Sequence, residues 1–452
     1  MSVDPGQSPP AISGMTSKIG DDIVQTELTH IWHPCSQMKD FETAALLKVV
    51  GANGSYIHLN DGRKLIDGIS SWWCKSLGHQ HPRLRAALIR QAEKFEQVIF
   101  ANTTNDAIVE LSRELASLCP ELNKVMYASD GSSVVEMAMK MSIHARSITN
   151  SRRHQFISLE NSYHGETVGA LSASDLGLYR SAYASMLLPV KMLRGLPYVS
   201  GSDDPRWQNC EAQWHDIEQQ LLPHAETATA ILVEPVVQGA GGMMIYSPDL
   251  LRRLRAFATK HDIHLIVDEI MTGFGRTGKM LAIEHAGILP DFLCLGKGLT
   301  GGWLPMSAML TRQSMYDLFY ADYKEGKSFL HSHTFSGNPL AASIANEVIK
   351  VMREESICMH AEMLGKKMRV EMNSLALRTG KLTNVRSIGA IVAADLICDP
   401  SERYGFAVCQ RAIREGVLLR PLGNTIYWLP PLNMSECDMM FMLQGTERAL
   451  RV

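Results

Sequence analysis

Lys297 stands between Gly296 and Gly298 at the end of the apolar run Leu293-Cys294-Leu295. The strongly hydrated ammonium of lysine usually decorates helix faces. Delivered by a strand-like run into a glycine turn, it is placed to meet something bound, as a covalent amine or a phosphate contact. Taken alone, the pattern serves equally for a plain loop lysine. A second group lies upstream, where Ile263-His264-Leu265-Ile266-Val267 ends in Asp268-Glu269. Such a run predicts a parallel strand buried on both faces. Asp268 then sits at the carboxyl end of a central strand, where open α/β sheets bind ligands; by itself it could equally cap the next element or pair with Arg276.

Two further segments add to these. Val125-Met126-Tyr127-Ala128 runs into Ser129-Asp130-Gly131-Ser132-Ser133, after which Val134, Met137, Ala138 and Met141 recur at helical spacing. Free N–H groups at a helix N-terminus beside serine hydroxyls make an anion site, although a serine-rich cap alone is ordinary. Tyr163-His164-Gly165 follows the strand-like Gln155–Leu159. It offers a ring to stack on a flat group and a glycine for close backbone approach, or simply a turn with a half-buried tyrosine. Together, a lysine that can form an imine, an acid for a ring nitrogen and a phosphate cup are what pyridoxal 5′-phosphate requires of a protein.

Three longer motifs carry a resemblance. Ile231-Leu232-Val233-Glu234-Pro235 with Gln238-Gly239-Ala240-Gly241-Gly242, then Val267 to Lys279, then Pro290 to Lys297, is similar in order and spacing to the signature of the class III, or ω-type, pyridoxal-phosphate aminotransferases. His30-Ile31-Trp32-His33-Pro34, Asp67 to Trp73, His333 to Pro339 and Leu419-Arg420-Pro421-Leu422-Gly423 resemble the branch that aminates 8-amino-7-oxononanoate in biotin synthesis. The likeness runs from about Thr29 to near the C-terminus.

The resemblance implies a fold type I α/β transferase, with a mainly parallel seven-stranded sheet and a smaller α+β domain. It implies that Lys297 holds pyridoxal phosphate covalently and that Asp268 pairs with its ring nitrogen. Gly131 and Ser132 would bind the phosphate, and Tyr163 would lie against the ring. His333 and Thr334 are implied at the cofactor, with Thr334 reaching the partner's phosphate across a homodimer interface. Trp72, Trp73, Tyr163, Lys297, Gly302 and Arg420 are the implied substrate-binding residues, Arg420 taking the acceptor carboxylate. The implied donor is S-adenosylmethionine, with lysine as the alternative. One departure concerns the donor: the family usually has tyrosine after the N-terminal His-Pro, and this chain has Cys35, which lacks a phenol's reach and hydrogen bond.

The chemistry expected of Lys297 follows from its pKa. A free lysine near 10.4 is neutral in only about one molecule in a few thousand at pH 7, a handicap of roughly 4–5 kcal/mol for a nucleophile, which storage as an imine avoids. Released by the donor amine, it can carry a proton between substrate and cofactor carbons, help typically worth about 10²- to 10⁴-fold. Asp268 keeps the ring nitrogen protonated by ion pairing. Kinetics are expected to be ping-pong. Arg420 alone reads as a surface ion pair, but its planar fork suits a carboxylate. Adjacent tryptophans on a strand would point to opposite faces, so at least one of Trp72 and Trp73 is expected at the pocket.

Other readings are weaker. His79-Gln80-His81 and His331-Ser332-His333 lack a cysteine or acid at a known ligand spacing, and no metal is expected. The glycines after Gln238 are not a dinucleotide fingerprint, and Lys297 is not in a Walker loop. The Met137–Met141 helix is expected to be core. Both Lys297 and Asp268 being present disfavours an inactive binding protein, whereas another class III enzyme, acting on ornithine or γ-aminobutyrate, stays open.

A net charge of −3 gives no reason to expect nucleic acid or membrane partners. Nine scattered cysteines suit a reducing cytoplasm. Residues 1–26 are expected to be a disordered leader, 27–80 an arm with part of the small domain, 81–337 the large cofactor domain, and 338–452 a bridging helix with the C-terminal small domain. Within the last, Gly389–Leu396 and Thr425–Leu429 read as strands and Ser435–Leu450 as a helix.

Overall fold

The computed structural model describes residues 21–44 and 46–451. They fall into two compact units, one running up to Gly51 with His58–Arg63 added, the other comprising Ala52–Ile57 and the chain from Lys64 onward. The first unit holds a helix, Asp21–His30, and a short 3-10 turn, Met38–Glu42. This corrects part of the expected disordered leader, because residues 21–26 are helical; residues 1–20 lie outside the described residues. Trp32 is exposed, and Cys35 is exposed with a left-handed φ of 48°.

In the second unit seven strands form one sheet in the order Lys124–Ala128, Ser307–Thr311, Phe292–Leu295, His264–Asp268, Ala228–Val233, Gln155–Leu159, Val190–Leu193. All run parallel except Ser307–Thr311, which is antiparallel to both neighbours. Their composition follows from two-sided burial: Ala228–Val233 and Phe292–Leu295 are buried at every position. The His264–Asp268 strand is central and pairs Asp268 with Cys294, so the acid and the segment leading to Lys297 emerge side by side.

Helices cover the sheet. Gly131–Ile148 places Val134, Met137, Ala138 and Met141 in a cluster with Leu232, Ile266, Cys294 and Met309, so its methionines are core. Pro248–Lys260, with proline in its first turn and Ser247 as N-cap, buries Leu250, Leu251, Leu254 and Phe257 in the larger core cluster.

Beyond residue 338, helices Pro339–Glu354 and Ile357–Thr379 lead to an antiparallel sheet of Leu382–Ile388, Ile391–Leu396 and Thr425–Trp428, and helix Glu436–Arg451 follows. Leu382–Ile388 was not expected as a strand. Its register shifts between Thr383 and Arg386, and Asn384 has φ 50°, so no period-two pattern survives in the sequence. Lys64–Asp67 pairs in parallel with Val417–Leu418, Asp67 opposite Leu418, which brings Ser70–Trp73 near Arg420.

Candidate active site

Parallel strands end together at the carboxyl edge of the sheet, and a cavity of about 420 Å³ opens there. Lys297, Asp268, Tyr163, Gly131, Ser132, Gly302 and Trp73 all line it. Each arrives by a short route. Asp268 is the last residue of its strand, Lys297 follows Leu295 by one glycine, and Gly131 opens the helix that follows Lys124–Ala128. Asp130 caps that helix by accepting from Ser133 N at 2.9 Å and Ser133 Oγ at 2.7 Å, and Gly131 and Ser132 of the first turn line the cavity.

Glycine is needed at two of these places. A Cβ on Gly165, at φ 127°, would lie 2.1 Å from Ser132 Oγ, and one on Gly302, at φ 71°, would lie 2.8 Å from Cys74 Sγ. Lys297 itself has φ 41°, a conformation few L residues adopt, and its Nζ lies 5.4 Å from the centre of the Trp73 ring. Burial lowers the Lys297 pKa, opposed by the negative charges of Asp268 and Glu234. Desolvation therefore moves this amine toward its neutral, nucleophilic form.

Asp268 is buried and does not pair with Arg276. Its Oδ2 accepts from His164 Nδ1 at 2.9 Å and its Oδ1 from Ile270 N at 3.1 Å. His164 is in turn held by Ser174 Oγ, which accepts from its backbone N at 2.9 Å. Arg276 instead donates to Pro430 O at 2.7 Å and Ser70 Oγ at 3.3 Å. Glu234 accepts from Tyr163 N at 2.9 Å and Gly239 N at 3.0 Å; burial, with a further push from Asp268, raises it to about 7. His164 and Glu234 are site residues that sequence reasoning did not assign. The signal was present in Tyr163-His164-Gly165 and Glu234-Pro235, but which strand end faces which is a property of the sheet order.

Trp72 and Trp73 are not on a strand. Ser70–Trp73 is a single turn whose four residues all have positive φ, and it sends the two rings to different places. Trp73 is buried at the cavity with its Nε1 donating to Tyr427 Oη at 3.0 Å. Trp72 is partly exposed, outside the cavity lining, with the Arg420 guanidinium 4.5 Å over its ring. Trp303 closes the cavity beside Gly302, and its buried Nε1 has no partner among the described residues.

His333 and Thr334 do not line the cavity of their own chain. Thr334 is exposed, and its carbonyl accepts from Gln97 Nε2 at 3.2 Å. His333 Nε2 is 3.0 Å from His331 Nε2, and His331 Nδ1 is 2.9 Å from Lys140 Nζ. His79 bonds Asp67 at 2.9 Å.

The fold and this cavity define a class of transferase, and the class-III aminotransferase family model matches residues 38–450, so the chain belongs to the class-III aminotransferases. Within that class it is similar to the adenosylmethionine-8-amino-7-oxononanoate aminotransferase of Helicobacter pylori, 38% identical over 416 residues that cover 91% of this chain and 93% of the relative. The enzyme of the same name from Geobacter sulfurreducens is 34% identical over 435 residues, covering 93% and 95%. Among solved structures, that of the Methanocaldococcus jannaschii enzyme of this name superposes with a TM-score of 0.89 at 28% identity, covering 95% of this chain and 98% of that one. An amine transaminase from an uncultivated Pseudomonas species, solved in its PLP-bound form, gives 0.85 at 30% identity, covering 93% and 98%.

Proposed function

We propose that this chain transfers an amino group from S-adenosylmethionine to the keto carbon of 8-amino-7-oxononanoate, giving 7,8-diaminononanoate, with pyridoxal 5′-phosphate as cofactor. The observation that carries the reading is that Lys297, Asp268 and the Gly131–Ser132 helix terminus line one cavity, with Trp73 as its wall. The substrates are those named by relatives that match this chain over nearly its whole length.

The cavity fits the cofactor. It has an anion site at the N-terminus of an eighteen-residue helix, with Gly165 packed so closely on Ser132 that no side chain intrudes. Trp303, which lines the cavity, has an indole N–H with no hydrogen-bond partner among the described residues. When bound, pyridoxal phosphate supplies an electron sink for the carbanion formed at the substrate carbon.

The chain's own residues do the rest. Gly131 and Ser132 would hold the phosphate and Tyr163 would lie against the ring. Asp268, oriented by the His164 Nδ1–H bond, would face the ring nitrogen and hold a proton there by ion pairing. Lys297 Nζ would anchor the cofactor and would move the proton at the reacting carbon, while enclosure by Trp73, Trp303, Ile270 and Met271 would keep water from competing for it. Glu234, near 7, ties the Tyr163 loop to Gly239. Arg420, stacked on Trp72, receives the acceptor carboxylate in its planar fork.

The working unit in this reading is a homodimer in which Thr334 reaches the partner's cofactor phosphate. Supporting it, Val98, Ile99, Leu330 and Phe335 are exposed apolar residues around the Thr334 loop, which Gln97 and Asn338 bind to the 96–99 segment. Nine free thiols suit a cytoplasmic setting. The test is to offer S-adenosylmethionine, lysine or ornithine separately to the pyridoxal form and follow conversion to the pyridoxamine form by absorbance. Conversion by S-adenosylmethionine, then return by 8-amino-7-oxononanoate, is expected; reaction with ornithine alone would overturn the assignment.

A further inference from the structure

The turn that carries both tryptophans is unusual in its backbone. Ser70, Ser71, Trp72 and Trp73 have φ of 49°, 55°, 107° and 72°, four successive left-handed residues with no glycine among them. L residues visit this region singly, because Cβ crowds the following carbonyl, and a run of them persists only where the surroundings over-determine it.

What over-determines it is Asp67. Its side chain is fully buried and accepts four hydrogen bonds: Ser71 N at 2.9 Å and Ile69 N at 3.4 Å on Oδ1, Ser71 Oγ at 2.7 Å and His79 Nε2 at 2.9 Å on Oδ2. These bonds outweigh its burial and hold its carboxyl below the usual carboxylate range. A buried carboxylate saturated in this way is a rigid template for the backbone wrapped on it. The far side of the turn is tied by Ser70 Oγ donating to Leu429 O at 2.7 Å. The result is one ring against Lys297 Nζ and the next beneath Arg420.

We propose that Asp67, oriented by His79, is a positioning residue for acceptor recognition: its carboxylate enforces the left-handed turn that seats Trp72 under Arg420 and Trp73 at the lysine. It touches neither substrate nor cofactor. The inference rests on the reading of Arg420 and the tryptophans as the acceptor wall.

The experiment uses the holoenzyme in its pyridoxamine form, titrated with 8-amino-7-oxononanoate. Asp67→Asn keeps the shape but replaces one acceptor oxygen by a donor. It should raise the KM for the acceptor about tenfold or more, with a smaller change in kcat and an unchanged visible spectrum of the lysine-bound cofactor. Adding Ser71→Gly to that variant should recover most of the lost affinity, because glycine takes φ 55° without being forced. A merely structural role for Asp67 would not be rescued by a more flexible residue.

Unchanged KM in Asp67→Asn, a loss confined to kcat, or no recovery in the double variant would each overturn the inference. Should Asp67→Asn not fold, His79→Ala decides: a KM rise of about threefold or more supports it and an unchanged KM overturns it. A wild-type enzyme that does not turn over 8-amino-7-oxononanoate refutes the substrate assignment, whereas normal wild-type turnover with an indifferent Asp67→Asn refutes only the positioning role.

Discussion

The two walls of the cavity are built on opposite principles. The cofactor wall is made of regular elements that stop together: Asp268 ends a strand, Lys297 follows another, and Gly131 begins a helix. The wall to which we assign the acceptor hangs on one irregular turn, Ser70–Trp73, whose Trp73 lines the cavity, and on the short pairing of Lys64–Asp67 with Val417–Leu418 that brings Arg420, outside the lining, over Trp72. Precision in the first comes from the sheet, whose core would have to move for the groups to move. In the second it comes from a few buried polar bonds. The difference suggests that reaction chemistry tolerates little alteration at the first wall, while substrate preference can be retuned at the second.

The sharpest way to break the comparison is at Lys297. Lys297→Ala should lower turnover by about 10³- to 10⁴-fold and abolish the visible absorbance of lysine-bound cofactor, while phosphate-anchored cofactor still copurifies; near-normal steady-state rates would remove the lysine from the chemistry. Next comes Asp268→Asn, expected to cost about 10²- to 10³-fold in kcat with little change in acceptor KM, because only the charge facing the ring nitrogen is lost. If KM rose instead, the two walls would not be separable. Arg420→Ala should do the reverse, raising acceptor KM by about 10- to 100-fold with a smaller effect on kcat, as expected for a lost charge-assisted bond. Measuring both half-reactions separately tells the two patterns apart.

The smallest effect concerns the support beneath the cofactor wall. Glu269, next to Asp268, is fully buried, accepts from Ala282 N at 2.7 Å and Ile283 N at 2.8 Å, and is raised by burial to about 7. A carboxyl raised above its unfolded value keeps a proton in the folded state that the unfolded chain has released. Its contribution to stability is therefore complete below about pH 4.5 and is lost as pH rises through about 7. With cofactor saturating, the Tm should fall by on the order of 2–3 °C across that window from this group. Glu269→Gln should lower the whole curve, since one N–H bond is lost, but flatten its slope; an unchanged slope would remove Glu269 as the source.

The same contrast explains what could be read without a structure. Lys297, Asp268, Gly131, Ser132 and Tyr163 each sit where a strand-like run meets a glycine or a helix start, and local pattern suffices to find such places. The seven-stranded sheet came only from the resemblance to the family, not from local pattern. His164 on Asp268 and Glu234 on Tyr163 were not legible, because those contacts depend on strand order. Trp72-Trp73 was expected on a strand with its rings on opposite faces, yet the conformation is set by a carboxylate three residues before Ser70 and a histidine at position 79. Thr334 lies outside its own chain's cavity, and no single-chain pattern says where it goes.

The one antiparallel strand has a consequence for timing. Because Ser307–Thr311 runs against its neighbours, residues 296–306 leave the sheet and re-enter it at the same edge, in adjacent strands. The lysine is thus carried on a loop clamped at both ends. In the proposed reaction, a lysine held this way would stay close to the reacting carbon as a tethered reagent at high effective molarity.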